Sequence, residues 1–176
     1  YNDIYGNSIN GMNPGGGMLP GWHNISYNNI TNNGWWGISL SQTYDNIVFS
    51  NKIMGNGRSG IAISNSIGEY IVGNHIEDNN EHGIWVFNSA DNDILENAII
   101  DNNNNGIYLE DSNGNRLEGN NISHHTGAVP WGVLLDNSGL NTMSNNTLWG
   151  NGDGICVFWG SENNTVIGND IHNTVG

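Results

Sequence analysis

Three carboxylates, Glu110, Asp136 and Asp153, recur at fixed offsets from a repeated Gly-aliphatic pair, found at Gly106-Ile107, Gly132-Val133 and Gly154-Ile155. Glu110 and Asp136 stand four residues after their glycine, and Asp153 stands just before its own. The same offsets collect aromatic side chains. Trp36, His82 and Trp131 precede a glycine, Trp85 and Tyr108 lie two after one, and Asp111 and Trp159 lie five after one. An indole or phenol ring offers a flat apolar face to the C–H face of a pyranose, and carboxylates accept hydrogen bonds from its hydroxyls. Two carboxyls about 5 Å apart also suit a retaining glycosidase, one as nucleophile and the other as acid. The expected assignment is therefore Glu110, Asp136 and Asp153 as catalytic groups, with Trp36, His82, Trp85, Tyr108, Asp111, Trp131 and Trp159 as glycan contacts. Two plainer readings stand beside it. One is a solvated acidic strip on an acidic protein; the other is an apolar patch of Trp85, Phe87, Leu134 and Phe158 that another chain covers.

Shared offsets matter only if equivalent positions stack. Residues Asn92 to Leu109 read N-D-I-L-E-N-A-I-I-D-N-N-N-N-G-I-Y-L, and a shift of 23 residues upstream gives E-Y-I-V-G-N-H-I-E-D-N-N-E-H-G-I-W-V. A fixed period of this length marks a repeat architecture. Its central asparagine falls at Asn7, Asn28, Asn51, Asn74, Asn97, Asn120, Asn146 and Asn169, in steps of 21, 23, 23, 23, 23, 26 and 23. This register sets Ile4 above Ile25 in one aliphatic column and Ile9 above Ile30 in another. Alternation within each short run is strand-like, and a repeat too short to bury its own apolar face must stack on its neighbours. The expected fold is all-β: a single-stranded parallel β-helix of about eight coils of ~23 residues, with three short strands per coil.

Asparagine ladders are expected at the corners, each amide bonding its equivalent above and below. A second polar row runs Asn2, His23, Asn46, Glu69, Asn92, Asn115, Asn141, Asn164; a third runs Asn33, Asn56, Asn79, Asn102, His125, Asn151. Thr43, Ser66, Ser89 and Ser112 form a hydroxyl column. Corner Asn and Gly tolerate the left-handed backbone that sharp bends need. Two stretches break the period. Asn10 to His23 puts a Gly/Pro-rich loop, either a shortened coil or a flap, in place of the first Gly strand. The coil carrying His124 to Trp131 is three residues longer, and such insertions gather on one face of repeat proteins, often the binding face.

The N-x-I-x-x-N-x-I and G-I-x-L segments, carried from Asn2 to Ile171, resemble the repeat of the NosD-like, carbohydrate-binding and sugar-hydrolase (CASH) group of parallel β-helices. The resemblance implies a right-handed helix with three sheets and a carbohydrate ligand. The copper chemistry of that group would need a Met/His/Cys cluster, which the sequence does not offer. Gly152-Asp153-Gly154-Ile155 is similar to the D-G-I segments of pectin-degrading β-helices. The Asp-Asp, His-Gly and Arg-x-Lys elements of polygalacturonases are missing, as is a Lys or Arg beside the acids to act as a lyase base. A fold of this kind does not settle function.

Composition narrows the partners. Three basic residues, Lys52, Arg58 and Arg116, face 17 acidic ones for a formal charge of −14. Nucleic acid is excluded, since phosphate contacts need clustered cations. A polyanionic sugar would be repelled unless a cation bridged it, and Ca²⁺ held by Glu110, Asp111 and Asp136 has the oxygen ligands for that task. No other cofactor is indicated. Cys156 stands alone and forms no intrachain disulfide, and no apolar run reaches transmembrane length. Five N-x-S/T sites, at Asn24, Asn29, Asn121, Asn145 and Asn163, fit an extracellular or cell-surface protein. Residues 1–176 read as one β-helix domain, a module of a longer chain with uncapped ends. Such ends self-associate readily. The expected partner is a polysaccharide, and the expectation extends to a possible hydrolase or lyase. The alternative is a surface-layer, adhesin or filament module that stacks through its coil ends or its aromatic face.

Overall fold

Each G-I-x-L segment makes a strand because its alternation sends every second side chain inward, and the glycine before it lets two coils close. A Cβ on Gly60 would lie 2.5 Å from Ile76 Cγ2 and 2.9 Å from the Gly83 carbonyl oxygen of the next coil. Only hydrogen fits there. In a computed structural model describing residues 2–14, 21–128 and 130–172, 21 strands stack into parallel sheets of eight, seven and six strands, about seven turns in all. The six-stranded sheet contains the glycine segments: Ile38–Ser41, Ile61–Ser64, Ile84–Phe87, Ile107–Glu110, Trp131–Asp136 and Asp153–Val157. The other two sheets are built from three-residue strands such as Asp93–Leu95 and Ala98–Ile100.

Pairing follows the 23-residue period. Ile84 sits opposite Ile107, Ile94 opposite Ile71, and Ile99 opposite Ile76. All six are fully buried. Burial of such a side chain contributes roughly 1.5–3 kcal/mol, so these aliphatic columns are the main source of cohesion in a thin core. Among the described residues no helix is long and apolar enough to cross a membrane.

The ladders hold the corners. Asn74 Oδ1 accepts both the backbone N–H of Asn51, at 2.9 Å, and its side-chain N–H, at 3.1 Å; Asn97 treats Asn74 in the same way. The hydroxyl column runs past Ser112, whose backbone N–H reaches Ser138 Oγ at 3.0 Å. His125 keeps the third row going by accepting the Asn102 backbone N–H on Nδ1 at 3.1 Å. Among the described residues its buried Nε2 finds no partner, and burial lowers its pKa to about 4. The left-handed residues are not the ladder asparagines. They stand one position earlier, at Ser50, Asn65, Asp78 and Asp91, with φ between 50° and 54°. The bend is completed there, which frees the ladder residue to aim its N–H along the helix axis.

The first coil departs from the expected register. Ile4 lies opposite Ile30 rather than above Ile25, Asn2 Nδ2 donates to Asn28 Oδ1 at 2.9 Å, and Asn7 donates to Asn33. The first step is thus 26 residues, Asn2 to Asn28, and Ile9 is 53% exposed instead of core. The cause is degeneracy: N-x-I occurs twice per coil, so a slip by one strand preserves the pattern. Met12 makes a single parallel bridge to Ile38, leaving a stub of the Gly strand at the start of the expected loop. Residues 15–20 of that loop, and Val129 of the insertion, lie outside the described residues.

Candidate functional site

The six-stranded sheet has Ile84 and Val86 inside, so Trp85 and Phe87 must face out, and the same holds in every coil. Across the outer face, Trp85 pairs with Tyr108 and Tyr108 with Leu134; Phe87 pairs with Glu110 and Glu110 with Asp136; Trp131 pairs with Asp153. The polar tips of three aromatics then meet three carboxylates. Trp85 Nε1–H donates to Glu110 Oε2 at 3.0 Å, and Trp131 Nε1–H donates to Asp153 Oδ2 at 3.0 Å. The Tyr108 hydroxyl approaches Asp136 Oδ2 at 3.5 Å, the outer limit of a hydrogen bond. In each pair the donor lies one coil before the acceptor.

The rings pack on one another across the strip. Trp85 stacks on Phe87 with centroids 5.6 Å apart, His82 lies 5.1 Å from Tyr108, and Trp131 meets Phe158 edge-on at 5.8 Å. Trp36 reaches Trp85 at 6.4 Å although a whole coil separates them. The intervening coil allows this because it presents only Ser59 and Ala62 there, both buried. The Arg58 guanidinium covers this end, 4.6 Å from the Trp35 ring and 5.2 Å from that of Trp36.

Around the three carboxylates, charge is one-sided. Burial lowers the His82 pKa to about 4, so its imidazole is neutral at pH 7 and cannot balance the acids. Its Nδ1 accepts the Asn105 backbone N–H at 3.3 Å, which puts the proton on Nε2. Burial, then the negative charges of Glu110 and Asp136, push the Tyr108 phenol well above its ordinary range. Burial likewise raises the Cys156 thiol, with Asp153 adding to it.

Eight of the expected site residues therefore share one face: Trp36, His82, Trp85, Tyr108, Glu110, Trp131, Asp136 and Asp153. Two do not join them. Asp111 stands on the left-handed corner at φ 50°, where its Oδ1 accepts from Asn137 Nδ2 at 2.6 Å. Trp159 follows the end of its strand and is 85% exposed. Glu110, Asp111 and Asp136 do not converge on a common point, and among the described residues no group of three or more His, Cys, Asp or Glu forms a metal site. Sequence reasoning passed over Asn105 as a contact. It is buried and ties His82 to Trp131, whose N–H it accepts at 3.0 Å. Its position in the column of His82 and Trp131 was the available signal. Arg58, the cation beside the Trp35/Trp36 pair, was also passed over.

A right-handed β-helix region matches residues 11–171. The chain belongs to that family. As a right-handed β-helix it superimposes on the periplasmic alginate epimerase AlgG with a TM-score of 0.85 at 20% identity, over 97% of this chain and 44% of that one. The A-modules of two Azotobacter vinelandii mannuronan C-5 epimerases also align over 97% of this chain. AlgE4 does so at 19% identity, TM-score 0.69 and 47% of its own length; AlgE6 does so at 20%, 0.75 and 56%. The β-helix thus spans about half the length of these structures, and at such identity the likeness is one of fold. Comparison with curated proteins by sequence gives no significant match.

Proposed function

We propose that the outer face of the six-stranded sheet binds a polysaccharide and that its carboxylates act on the bound chain. The observation that carries this reading is the row of aromatic donors, Trp85, Tyr108 and Trp131, each turned onto a carboxylate of the next coil. Pinning the ring by its polar edge orients the apolar face for a sugar, while one carboxylate oxygen stays available to hydroxyls. Glu110 and Asp136 are direct neighbours on adjacent strands, with backbones about 4.8 Å apart. That suits the nucleophile and acid of a retaining hydrolysis, with Asp153 the third carboxylate beside Trp131. Trp36 and His82 extend the contact surface, and Asp111 and Trp159 flank it.

Hydrolysis suits these residues better than elimination, which would need a base near a neutralised uronate; the strip has no cation beside its acids. The fold neighbours named above act on polysaccharides, which supports the ligand class. Within the right-handed β-helices, the repeat motifs favour the NosD-like carbohydrate-binding group, and the periplasmic neighbour favours a location outside the cytoplasm, extracellular or at the cell surface.

The test is a glycan array and a reducing-sugar assay on wild type, Glu110→Gln and Asp136→Asn. Turnover lost in both variants, with binding retained, supports the assignment. A wild type that binds no glycan, and scatters light as a long assembly, would return the face to a packing role.

A further inference from the structure

Next to the aromatic strip, around the corner that follows each Gly strand, runs a groove of about 740 Å³. It lies parallel to the helix axis and spans the rungs from Gln42 to Asp111. One wall is a column of amides, Gln42, Asn65 and Asn88, lifted into solvent by left-handed backbone with φ of 57°, 50° and 45°. The other wall is apolar: Tyr44, 40% exposed, Ile67, 50% exposed, and Ala90. These three are bridged rung to rung. The floor, Thr43, Ser66 and Ser89, is buried, and its hydroxyls serve the ladder.

We infer that this groove is a second binding site, a track for an extended, uncharged, equatorially 1,4-linked glycan. Three features specify the ligand. Recognition groups repeat every rung, about 4.8 Å, close to the rise of one sugar in such a polymer. Three of the groove's four rungs set an amide opposite an apolar side chain, which matches a pyranose with hydroxyls at its rim and C–H bonds on its face; the fourth sets Asp111 opposite Asn113. The amides are already oriented: Asn88 Nδ2 donates to Asn65 Oδ1 at 2.6 Å, so Asn65 offers its N–H groups outward and Asn88 its carbonyl oxygen. Among the described residues no cation lines the groove, and the one charged residue there is Asp111 at one end. With Glu110 and Asp136 close by on the neighbouring face, a uronate polymer is repelled.

The glycan class rests on the reading above, but the site does not, and the two can fail separately. Calorimetric titration of the whole chain with cellohexaose, mannohexaose, xylohexaose and an oligomannuronate hexasaccharide is the experiment. Ala90→Trp fills the groove, and Asn65→Gly with Asn88→Gly removes its amides at exposed positions while keeping the left-handed backbone. Both are expected to weaken binding of a neutral hexasaccharide at least tenfold or to remove one of two sites. Trp85→Ala and Trp131→Ala, on the strip, leave that component intact. The groove assignment is overturned if both groove variants keep wild-type affinity and stoichiometry, if no neutral hexasaccharide binds wild type, or if the oligomannuronate binds more tightly. Binding abolished by the strip variants alone would overturn the groove while sparing the strip; binding abolished by the groove variants alone would do the reverse.

Discussion

Replacing Asn97 by alanine tests the ladder, because the hydrogen bonds at stake can be counted. Its Oδ1 accepts from the backbone N–H of Asn74 at 2.9 Å and from Asn74 Nδ2 at 3.0 Å, and its own Nδ2 donates to the Ile71 carbonyl at 2.9 Å and to Asn120 Oδ1 at 3.0 Å. Asn97→Ala deletes all four. Asn74 Nδ2 keeps the Val48 carbonyl, and Asn120 Oδ1 keeps the Asn97 backbone N–H. The Asn74 backbone N–H is left with nothing in a dry interior. One stranded donor costs about 2 kcal/mol and three further lost bonds about 1 kcal/mol each, so the expected loss is about 5 kcal/mol. That is a large share of what holds a domain of this size together. Urea unfolding followed by circular dichroism gives the number, with Asn65→Gly as the control. Asn65 is an equally polar corner residue, yet its bond to Asn88 is exposed and glycine accepts its φ of 50°, so the change should cost under about 1 kcal/mol. If Asn97→Ala loses less than 1 kcal/mol, or no more than the control, the ladder is ornament and the account of the corners is wrong.

Glu69 is the one acid inside a ladder, fully buried, and burial raises its pKa above the ordinary 4.5. The folded state then holds a proton that the unfolded chain has lost. Its stability contribution is complete below pH 4.5 and disappears as pH rises through the raised value. Glu69→Asn should therefore gain stability on wild type with rising pH in thermal melts, and a pH-independent difference would contradict this. His82, with its pKa lowered to about 4 by burial, should keep neutral-imidazole nitrogen shifts in a ¹⁵N NMR titration until well below pH 6; a midpoint near 6.5 would mean the ring is solvated. Gly60→Ala forces a methyl against Ile76 and the Gly83 carbonyl and should cost about 1–3 kcal/mol, read as a lower melting temperature. Trp131→Phe keeps a ring but removes the donor to Asp153. It is expected to weaken glycan binding by about 1 kcal/mol, roughly fivefold, and unchanged affinity would detach Asp153 from the site.

Periodicity alone was enough to read the architecture. Side chains 23 residues apart must stack when the chain closes a coil in that length, so the aliphatic columns, the asparagine rows and the shared face of Trp85, Tyr108, Glu110 and Asp136 all follow from counting. Counting could not choose between the two N-x-I halves of the first coil. Only strand pairing placed Ile4 opposite Ile30, because both registers bury the same residue types. Nor could it say where side chains lean. Trp85 and Glu110 are two positions apart within the period, yet they meet because a long indole reaches diagonally to the next strand. Asp111, one residue beyond Glu110, is lost to the strip because the backbone turns left-handed there. The groove was invisible for the same reason: Gln42, Asn65 and Asn88 share the offset of Asp111 five residues after a glycine, and it is the bend beneath them that raises a wall opposite Tyr44 and Ile67. One dimension of repetition settles which residues are neighbours; direction and depth come from backbone dihedrals at the corners, which the repeat pattern does not encode.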